Sequence, residues 1–506
     1  MQKISSAHHQ PLFGVAATRR IEQTAAIALP PHSLMQRAGL AVARLTMAIA
    51  PHAQFIWVAC GPGNNGGDGF EAAMLLHQWG KRVVVTSIEP GKSGLPPDAK
   101  AARGQAAAAG VAFADKPPSN FDFCIDALLG MGTTLDPARK ESAQILQWLA
   151  AMAHGCAPCL AVDVPSGLNA DTGASIAMYS GASSARKYKT NVRFTLSLLT
   201  LKPGLFTFEG RDRAGDVWFD DLGVNVSDMA LPNAWLLGAN RLAGPHRLHN
   251  SNKGSYGDVA VIGGESTADS HMAGTALLAA SAALQAGAGR VFVALLGDSA
   301  MTVNPAQPEL IFRSLEVLDL RKQVVVCGCG GGESVKAVLP KVLSTAIRLV
   351  LDADALNAVA SDTSLQTLLT ARSARGRHGF ATVLTPHPLE AARLMQTTSV
   401  QVQSDRLKAA AQLAELYQAV VVLKGSGSVV AAPGKISRIN SSGNALLATA
   451  GTGDVLAGMV GAALANGSDA FDAACSAVYE HGLVADDWMT THPGKALTAS
   501  RLAASI

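Results

Sequence analysis

Short apolar runs that end in polar, glycine-containing motifs constrain the fold of this chain more than any other feature. In the C-terminal half such runs occupy residues 347–351, Ala381–Leu384 and Val420–Leu423, and charged or small residues follow each of them directly. Runs of this length and composition are typical of buried parallel strands. Ligands of open α/β sheets bind at the carboxyl ends of the strands. The pattern therefore predicts an α/β fold in which the polar motifs share one site.

Four motifs of the C-terminal half are predicted to meet at such strand ends. They are LDADALN at 351–357, TPHPLE at 385–390, KGSGS at 424–428 and GTGD at 451–454. In residues 448–466 a loop with two glycines leads into an apolar segment that we predict to be a buried helix. Backbone N–H groups and the positive end of the helix dipole would hold a phosphoryl group, and Asp454 would take a proton from an attacking hydroxyl. An ordinary Gly-capped turn with Asp454 as its N-cap is the alternative.

The N-terminal half shows the same arrangement with different motifs. Predicted strands at Phe55–Cys60, 119–126 and 160–164 end in GPGNNGGDG, DALLGMGT and DVPSGLNADTG. We interpret residues 61–70 as one glycine-rich turn before a helix at 71–79, and its spacing does not match GxGxxG. Such a loop can surround a phosphate, a ribose or a weakly held cation. A purely structural Gly/Asn turn is the alternative.

Bulk properties restrict the class of protein. A chain of 506 residues predicts two or more domains, and we place the boundary near residue 230, where periodic apolar residues are scarce. A hydrophobic fraction of 48% argues against disorder, and a net charge of +3 without a basic block argues against nucleic-acid binding. The N-terminus resembles no signal peptide, and we predict no transmembrane span and a cytoplasmic location. The Cys156-Ala157-Pro158-Cys159 motif lacks further metal ligands nearby.

Two smaller expectations concern the C-terminal half. Ser404 is predicted to cap a helix at residues 404–418, and Pro433-Gly434 predicts a hairpin within residues 429–439. The turn at 327–332 is predicted to be glycine-rich.

In their order, these motifs resemble those of the NAD(P)H-hydrate repair enzymes. The N-terminal half resembles the epimerase domain, and the C-terminal half resembles the ADP-dependent dehydratase of the ribokinase-like fold. The resemblance implies two domains, each a three-layer α/β sandwich: a Rossmann-like epimerase domain at 1–230 and a ribokinase-like dehydratase domain at 231–506. The substrate would be hydrated NADH or NADPH, which carries a hydroxyl group at C6 of the nicotinamide ring.

For the epimerase domain the resemblance implies a substrate site and a cation site. Asp163 would be catalytic, and Asn65, Asp126 and Ser166 would hold a potassium ion. The stretch 131–136 differs from the shorter, basic turn that is common in the family. The substrate contacts implied are Asn64, Asn65, Gly66, Gly67, Asp68, Gly130, Met131, Gly132, Thr133, Thr134, Leu135, Asp136 and Asp163.

For the dehydratase domain the resemblance implies that ADP, with Mg²⁺, phosphorylates the C6 hydroxyl group before its elimination as phosphate. Asp454 would be the catalytic base and would face the substrate together with His387, Ala273 and Gly330. The chain departs from the family's GPGLG-like turn at Cys329 and Gly331. The nucleotide contacts implied are Lys424, Gly425, Ser426, Gly427, Ser428 and Gly453.

Two other functions are compatible with parts of the sequence. The C-terminal motifs alone would suit an ATP-dependent vitamin or sugar kinase, for which the NNGGDG domain has no use. A non-catalytic nucleotide-sensing protein would bind ADP and substrate without turnover. For the main hypothesis we expect small-molecule partners, hydrated NADH or NADPH and ADP, in a homo-oligomer that binds neither nucleic acid nor membrane.

Overall fold

The computed structural model describes residues 1–90, 94–131, 140–155, 157–175, 192–239, 249–299, 301–374 and 380–506. The chain forms two compact units. Met1–Ser5 and Pro11–Ala234 make up the first unit, and Ser6–Gln10 and Trp235–Ile506 make up the second. Each unit is an α/β sandwich with helices packed on its sheet, as predicted.

The first unit is built on a mainly parallel sheet whose strand order is β1-β9-β8-β7-β6-β3-β4-β5, with only β1 antiparallel to its neighbour. The helices of this part of the chain are α1 (Val15–Ala28), α2 (Ser33–Ile49), α3 (Asn64–Gln78), α4 (Pro97–Ala108), α5 (Lys140–His154) and α6 (Gly210–Ala214). The strands of this part of the chain are β1 (Gln2–Lys3), β2 (Gln10–Leu12), β3 (Phe55–Cys60), β4 (Arg82–Ser87), β5 (Ala112–Ala114), β6 (Phe123–Ala127), β7 (Cys159–Val162), β8 (Arg193–Leu198) and β9 (Asp216–Asp220), of which β2 lies outside this sheet.

The sheet of the second unit includes the order β13-β12-β11-β14-β15-β16-β17-β18-β19-β10 and is parallel from β13 to β17. Its strands are β10 (Ala234–Leu236), β11 (Asp258–Ser266), β12 (Arg290–Gly297), β13 (Ile311–Phe312), β14 (Val324–Cys327), β15 (Arg348–Leu351), β16 (Ala381–Leu384), β17 (Val420–Leu423), β18 (Val429–Ala431) and β19 (Arg438–Ile439). Its helices are α7 (Ala273–Gln285), α8 (Val335–Thr345), α9 (Ala353–Ser361), α10 (Thr363–Ala371), α11 (Pro388–Leu394), α12 (Ser399–Ser404), α13 (Arg406–Tyr417), α14 (Thr452–Ala465), α15 (Ala470–Thr491) and α16 (Ala499–Ala504).

Helices cover both faces of the second sheet, and this explains why its strands are continuously apolar. Successive side chains of a strand point to opposite faces. Val324 and Val326 therefore belong to the buried cluster that includes α14, whereas Val325 belongs to the cluster that includes α8. The small residues of α14 allow close packing, since a Cβ atom on Gly458 would overlap the backbone carbonyl of Ala279 in α7.

Local expectations were met in part. The hairpin of β18 and β19 is confirmed, as is the helix Ser33–Ile49. The predicted cap at Ser404 is wrong: α12 ends there, and Asp405 caps α13 by accepting a hydrogen bond from the backbone N–H of Lys408. A carboxylate satisfies the unpaired N–H groups of a helix start, and Asp405 lies one residue closer to this start.

The assignment of Ser6–Gln10 to the second unit was not anticipated. The hydroxyl group of Tyr479 donates a hydrogen bond of 2.9 Å to the carbonyl of Ser6. The ring of His9 stacks on Trp235 with a centroid distance of 4.7 Å. Residues 6–10 thus contribute packing to the second unit.

Candidate active sites

The glycine-rich stretch after β3 is mainly helical, which corrects its interpretation as one long turn. Only residues 61–63 form the turn, and α3 begins at Asn64 without a side-chain cap. A Cβ atom on Gly66 would overlap the carbonyl of Gly61, and one on Gly69 would lie 2.6 Å from a side chain at the end of β6. These glycines therefore let the first turns of α3 approach the strand ends, and the uncapped N–H groups are available to a ligand.

A cavity of about 760 Å³ lies beside the start of α3. Gly66 and Gly67 do not line it: they are buried, and a Cβ atom on Gly67 would overlap the side chain of Met35. Residues 132–136 lie outside the described residues. The predicted substrate contacts that line the cavity are Asn64, Asn65, Asp68, Gly130, Met131 and Asp163.

A buried ion pair fixes Asp163 in this cavity. The side chain of Lys202 is 0% exposed, and its ammonium group is paired with Asp163 through a short contact and donates a hydrogen bond of 2.7 Å to the carbonyl of Leu198. The φ angle of Asp163 is 66°, in a region that costs a non-glycine residue about 1–3 kcal/mol. Such strain persists where the surroundings hold a residue in place, which is typical of active sites.

Two further acidic groups face the same cavity. Burial raises the pKa of Asp68 well above its usual range, and the charges of Asp163 and Glu22 raise it further. Burial and the charge of Asp163 also raise the pKa of Glu22. Sequence reasoning did not find Glu22, because a glutamate in the polar face of α1 has no distinguishing local motif. Sequence reasoning did not find the pairing of Lys202 with Asp163 either, because the two residues are far apart along the chain.

The structure brings two of the three predicted potassium ligands into direct contact. The hydroxyl group of Ser166 donates a hydrogen bond of 2.6 Å to Asp126 Oδ1, and its backbone N–H donates one of 3.0 Å to Oδ2. Burial raises the pKa of Asp126, although these hydrogen bonds oppose the effect. Asn65 lines the cavity, and its buried Nδ2 atom has no hydrogen-bond partner among the described residues.

In the second unit the GTGD motif forms the start of α14, as predicted. Gly451 precedes the helix with a φ angle of 88°, no side chain caps it, and Asp454 is the third helical residue rather than the N-cap. Burial, followed by the charge of Asp352, raises the pKa of Asp454 to about 7. A carboxyl group with such a pKa takes up and releases protons at neutral pH, as a general base requires.

Lys424 lies against this helix start. Its Nζ atom donates a hydrogen bond of 2.7 Å to Asp352, and a Cβ atom on Gly453 would lie only 3.3 Å from it. Ligand atoms of Cys329, Asp352 and Asp454 lie within 4.8 Å of one another. The ends of β14, β15 and β17 therefore meet at the N-terminus of α14, and a cation, two carboxylates and uncapped N–H groups are close together.

A buried arginine holds the backbone at the start of the loop that follows β17. Arg406, on α13, donates hydrogen bonds to the carbonyls of Leu423 and Lys424 at 3.1 and 3.2 Å. Gly425 has a φ angle of 136°, and the hydroxyl group of Ser428 donates a hydrogen bond of 3.2 Å to its carbonyl. The predicted nucleotide-binding residues 424–428 thus form one tight turn between β17 and β18.

His387 has a structural role that the sequence did not exclude. Its Nδ1 atom accepts hydrogen bonds from the backbone N–H groups of Leu389 and Glu390, and it caps α11. Its Nε2 atom lies 3.2 Å from Glu390 Oε1. Burial and the charge of Lys424 lower the pKa of this imidazole. Because Nδ1 is occupied by backbone donors, His387 is poorly placed to act as a base through that atom.

Ala273 and Gly330 lie near each other beyond the end of β11. Glu265 links them, since its N–H donates to the carbonyl of Gly330 at 2.7 Å and its carbonyl accepts from Met272, the residue before Ala273, at 2.8 Å. Gly330 has a φ angle of 57°, and a Cβ atom there would overlap the hydroxyl oxygen of Thr275.

A buried histidine beneath α14 escaped sequence reasoning. His481 Nε2 lies 2.9 Å from the carbonyl of Thr452, and burial lowers the pKa of His481 to about 4. The imidazole is therefore neutral, and its Nε2–H group donates a hydrogen bond to this carbonyl. Its position within the apolar helix α15 gave no signal of a contact with the GTGD motif.

Among the helices of the described residues, none combines the length and the apolar character needed to cross a membrane.

Comparison with protein families assigns both halves. The family model described as "NAD(P)H-hydrate dehydratase" matches residues 259–506, and the one described as "YjeF-related protein N-terminus" matches residues 31–204. These spans contain the residues of the two sites described above, except those on α1, such as Glu22.

Curated relatives match nearly the whole chain. It is 36% identical over 495 residues to the bifunctional NAD(P)H-hydrate repair enzyme of Escherichia coli K12, with 92% of this chain and 88% of the relative covered. It is 35% identical to the Coxiella burnetii protein of the same name, with 90% of each covered. It is 41% identical over 247 residues to the ADP-dependent (S)-NAD(P)H-hydrate dehydratase of Neisseria meningitidis, with 47% of this chain and 80% of the relative covered.

One solved structure found by the comparison is the ADP/ATP-dependent NAD(P)H-hydrate dehydratase from Bacillus subtilis, co-crystallised with ATP and Mg²⁺. It is 29% identical with a TM-score of 0.43, and the match covers 52% of this chain and 91% of that one.

Proposed function

This chain belongs to the family of bifunctional NAD(P)H-hydrate repair enzymes, and we propose that residues 1–230 epimerise hydrated NADH and NADPH while residues 231–506 dehydrate the S epimer with ADP. The match of the N-terminal half favours this function over a vitamin or sugar kinase, which would not need that half. A fused epimerase allows both epimers of the damaged cofactor to be used.

The observation that carries the dehydratase assignment is the position of Asp454 at the start of α14. With a pKa of about 7, Asp454 accepts the proton of the C6 hydroxyl group while the oxygen of this hydroxyl group attacks the terminal phosphorus of ADP. The N–H groups at the uncapped start of α14 stabilise the charge of the moving phosphoryl group. The phosphoanhydride bond of ADP breaks and AMP leaves. Phosphate then leaves C6 more readily than hydroxide would, C5 gives up a proton to solvent, and the C5=C6 double bond of the dihydronicotinamide ring forms.

ADP is proposed to bind along residues 424–428 and Gly453. Lys424 lies beside the helix start, where it contacts the phosphate transferred, and Asp352 holds it there. Ala273, Gly330 and His387 are proposed to contact the hydrated nicotinamide.

The donor atoms near Asp454 fit magnesium in part. Carboxylate oxygens of Asp352 and Asp454 suit Mg²⁺, which also takes phosphate oxygens from its substrate, whereas the thiol of Cys329 does not suit it. The ion would neutralise charge on the phosphates of ADP when bound.

In the first unit we propose that hydrated nicotinamide binds in the 760 Å³ cavity, with Asn64, Asp68, Gly130 and Met131 as contacts. Gly66, Gly67 and residues 132–136 remain proposed contacts from the resemblance. Asp163 is proposed to be catalytic, because its carboxylate, held by Lys202, stabilises positive charge that develops on the nicotinamide ring.

Asn65, Asp126 and Ser166 are proposed to hold potassium. Their side-chain oxygen atoms suit a weakly hydrated monovalent cation. Substituting Asp126→Ala should abolish potassium-dependent epimerisation. A homo-oligomeric state and a cytoplasmic location stay predictions.

One assay tests the function as a whole. The protein is incubated with a mixture of both epimers of hydrated NADPH and either ADP or ATP, and the return of the near-ultraviolet absorbance of NADPH is followed. Complete conversion of the mixture with ADP supports both activities. Conversion of only the S fraction would contradict the epimerase assignment, and a phosphorylated product without NADPH would favour the kinase alternative.

A further inference from the structure

Glu22 is a half-buried acidic residue that no motif of the chain includes, yet it faces the cavity of the first unit. Thr18, Glu22 and Ala26 lie four residues apart on α1, and all three line the cavity. This stripe is the side of α1 that a bound substrate would meet. Glu22 thus reaches the cavity from α1, whereas Asp68 reaches it from α3.

The cavity holds more carboxyl groups than its buried cation can neutralise. Glu22, Asp68 and Asp163 all line it, and the ammonium group of Lys202 is already engaged by Asp163 and a backbone carbonyl. The other charged or titratable groups among the described residues of its wall are Arg19, His32 and Asp98. The charge of Arg19 partly offsets the effect of burial on Glu22, and His32 is paired with Asp98 at 2.7 Å. Carboxyl groups that repel one another do not all ionise together, so one retains a proton while another is free to accept one.

We propose that Glu22 is a catalytic residue of the epimerase and forms the proton-transfer pair with Asp68. This inference rests on the proposed epimerase function of the first unit. Asp163 is assigned a different role, because its Oδ1 atom already accepts hydrogen bonds from Lys202 and from the N–H of Leu198. Two carboxyl groups on separate helices provide what inversion at one carbon needs: a group that assists departure and a group that assists attack.

The reaction balances with water alone. The protonated carboxyl group donates its proton to the C6 hydroxyl group, the C6–O bond breaks, and water leaves as the N1 lone pair forms a C6=N1 double bond. A water molecule attacks C6 from the opposite face, the ionised carboxylate takes its proton, and N1 regains its electron pair. The acid and base have then exchanged protonation states, which prepares the site for the reverse direction. Acidic walls stabilise the cationic ring formed between the two steps.

The test compares Glu22→Gln with Glu89→Gln in the full chain. Both changes remove one carboxylate from the first unit, but the side chain of Glu89 is 83% exposed and does not line the cavity. Each variant is given purified R epimer of hydrated NADPH without nucleotide, and the S epimer is quantified by chromatography. We expect a loss of about 10²- to 10⁴-fold in kcat for Glu22→Gln with KM within a few-fold, and no change for Glu89→Gln.

Two further measurements separate chemistry from structure. Epimerisation in ¹⁸O-labelled water should place one solvent oxygen at C6 per inversion, and Glu22→Asp, which keeps a carboxyl group, should recover part of the activity. Wild-type rates in Glu22→Gln, a change confined to KM, or inversion without label uptake would each overturn the proposal. A wild-type chain that dehydrates S epimer but never converts R epimer would instead refute the epimerase function itself. Equal thermal unfolding midpoints of the variants exclude misfolding as the cause.

Discussion

The two sites share one architecture but differ in the exposure of a lysine and in what this lysine contacts. In both, a helix starts after a glycine without a side-chain cap, at Asn64 for α3 and at Thr452 for α14, beside the carboxyl ends of parallel strands. The side chain of Lys202 is 0% exposed and fixes Asp163, whereas that of Lys424 is 19% exposed and reaches the helix start while paired with Asp352.

This difference matches the chemistry proposed for each unit. Phosphoryl transfer needs a cation that an anionic substrate can reach, and Lys424 offers one. Epimerisation at C6 needs proton transfer near a developing positive charge, so an acidic cavity with its lysine already neutralised is the better environment. The same strand-end geometry therefore supports two reactions because the charges around it differ.

The largest expected effect comes from Asp454→Asn, which would break the second site alone. Dehydration should fall about 10²- to 10⁴-fold because the base is lost, and Kd for ADP should stay within a few-fold because the α14 backbone is unchanged. Epimerisation should not change. The return of NADPH absorbance measures dehydration, and calorimetry measures ADP binding. The control is Asp472→Asn on α15, since the side chain of Asp472 is 62% exposed. Near-normal dehydration would show that Asp454 is not the base. Loss of ADP binding would show that Asp454 maintains the structure of the GTGD loop instead.

Exchanging each lysine for methionine tests the central difference directly. Lys202→Met should destabilise the first unit by about 3–5 kcal/mol, because it leaves Asp163 buried and unpaired, without altering Kd for ADP. Lys424→Met should destabilise the second unit less, since water reaches that site, but should weaken ADP binding markedly. Hydrogen exchange of peptides from β7 and from β15, together with ADP titration, reports both effects. Equal loss of ADP affinity in the two variants would contradict the comparison.

Two glycine substitutions compare the helix starts. Gly66→Ala should destabilise the first unit by about 1–3 kcal/mol through overpacking, since its Cβ atom would overlap the carbonyl of Gly61. Gly453→Ala should leave stability nearly unchanged, because the nearest atom is the mobile end of Lys424 at 3.3 Å, while ADP affinity falls. Denaturant unfolding and ADP titration check this pair, and a stable Gly66→Ala variant would show that α3 can shift from the strand end.

The smallest effect is a pH dependence of the second site. Below the Asp454 pKa of about 7, dehydration should fall about tenfold per pH unit as the base is protonated. Because this pKa is raised by folding, protonated Asp454 favours the folded state at low pH, and that contribution is lost as pH rises through about 7. Asp454→Asn should therefore be more stable than wild type above pH 7. A pH-independent rate between pH 5 and 8, or an unchanged stability difference, would contradict the role of Asp454 as a titrating base.

Sequence patterns were most reliable where a physical rule acts over a few neighbouring residues. Apolar runs such as Val420–Leu423 had to become buried strands, and the polar residues after them had to lie at their carboxyl ends, which placed Lys424 and Asp352 in one site. The same reasoning failed for residues 61–70, because five glycines in ten residues indicate a turn unless close packing requires them. The contact of Gly66 with the carbonyl of Gly61 is such a requirement, and it depends on how α3 meets the sheet.

By itself, then, the sequence determined the α/β class, the two sets of strand-end motifs and the candidate base of the dehydratase. Only the tertiary structure decided which charges meet. The pairing of Lys202 with Asp163 and the position of Glu22 at the cavity bring together residues from separate elements. The physical reason is that charge and burial depend on distances in space, and local periodicity specifies each element without specifying the elements that pack around it.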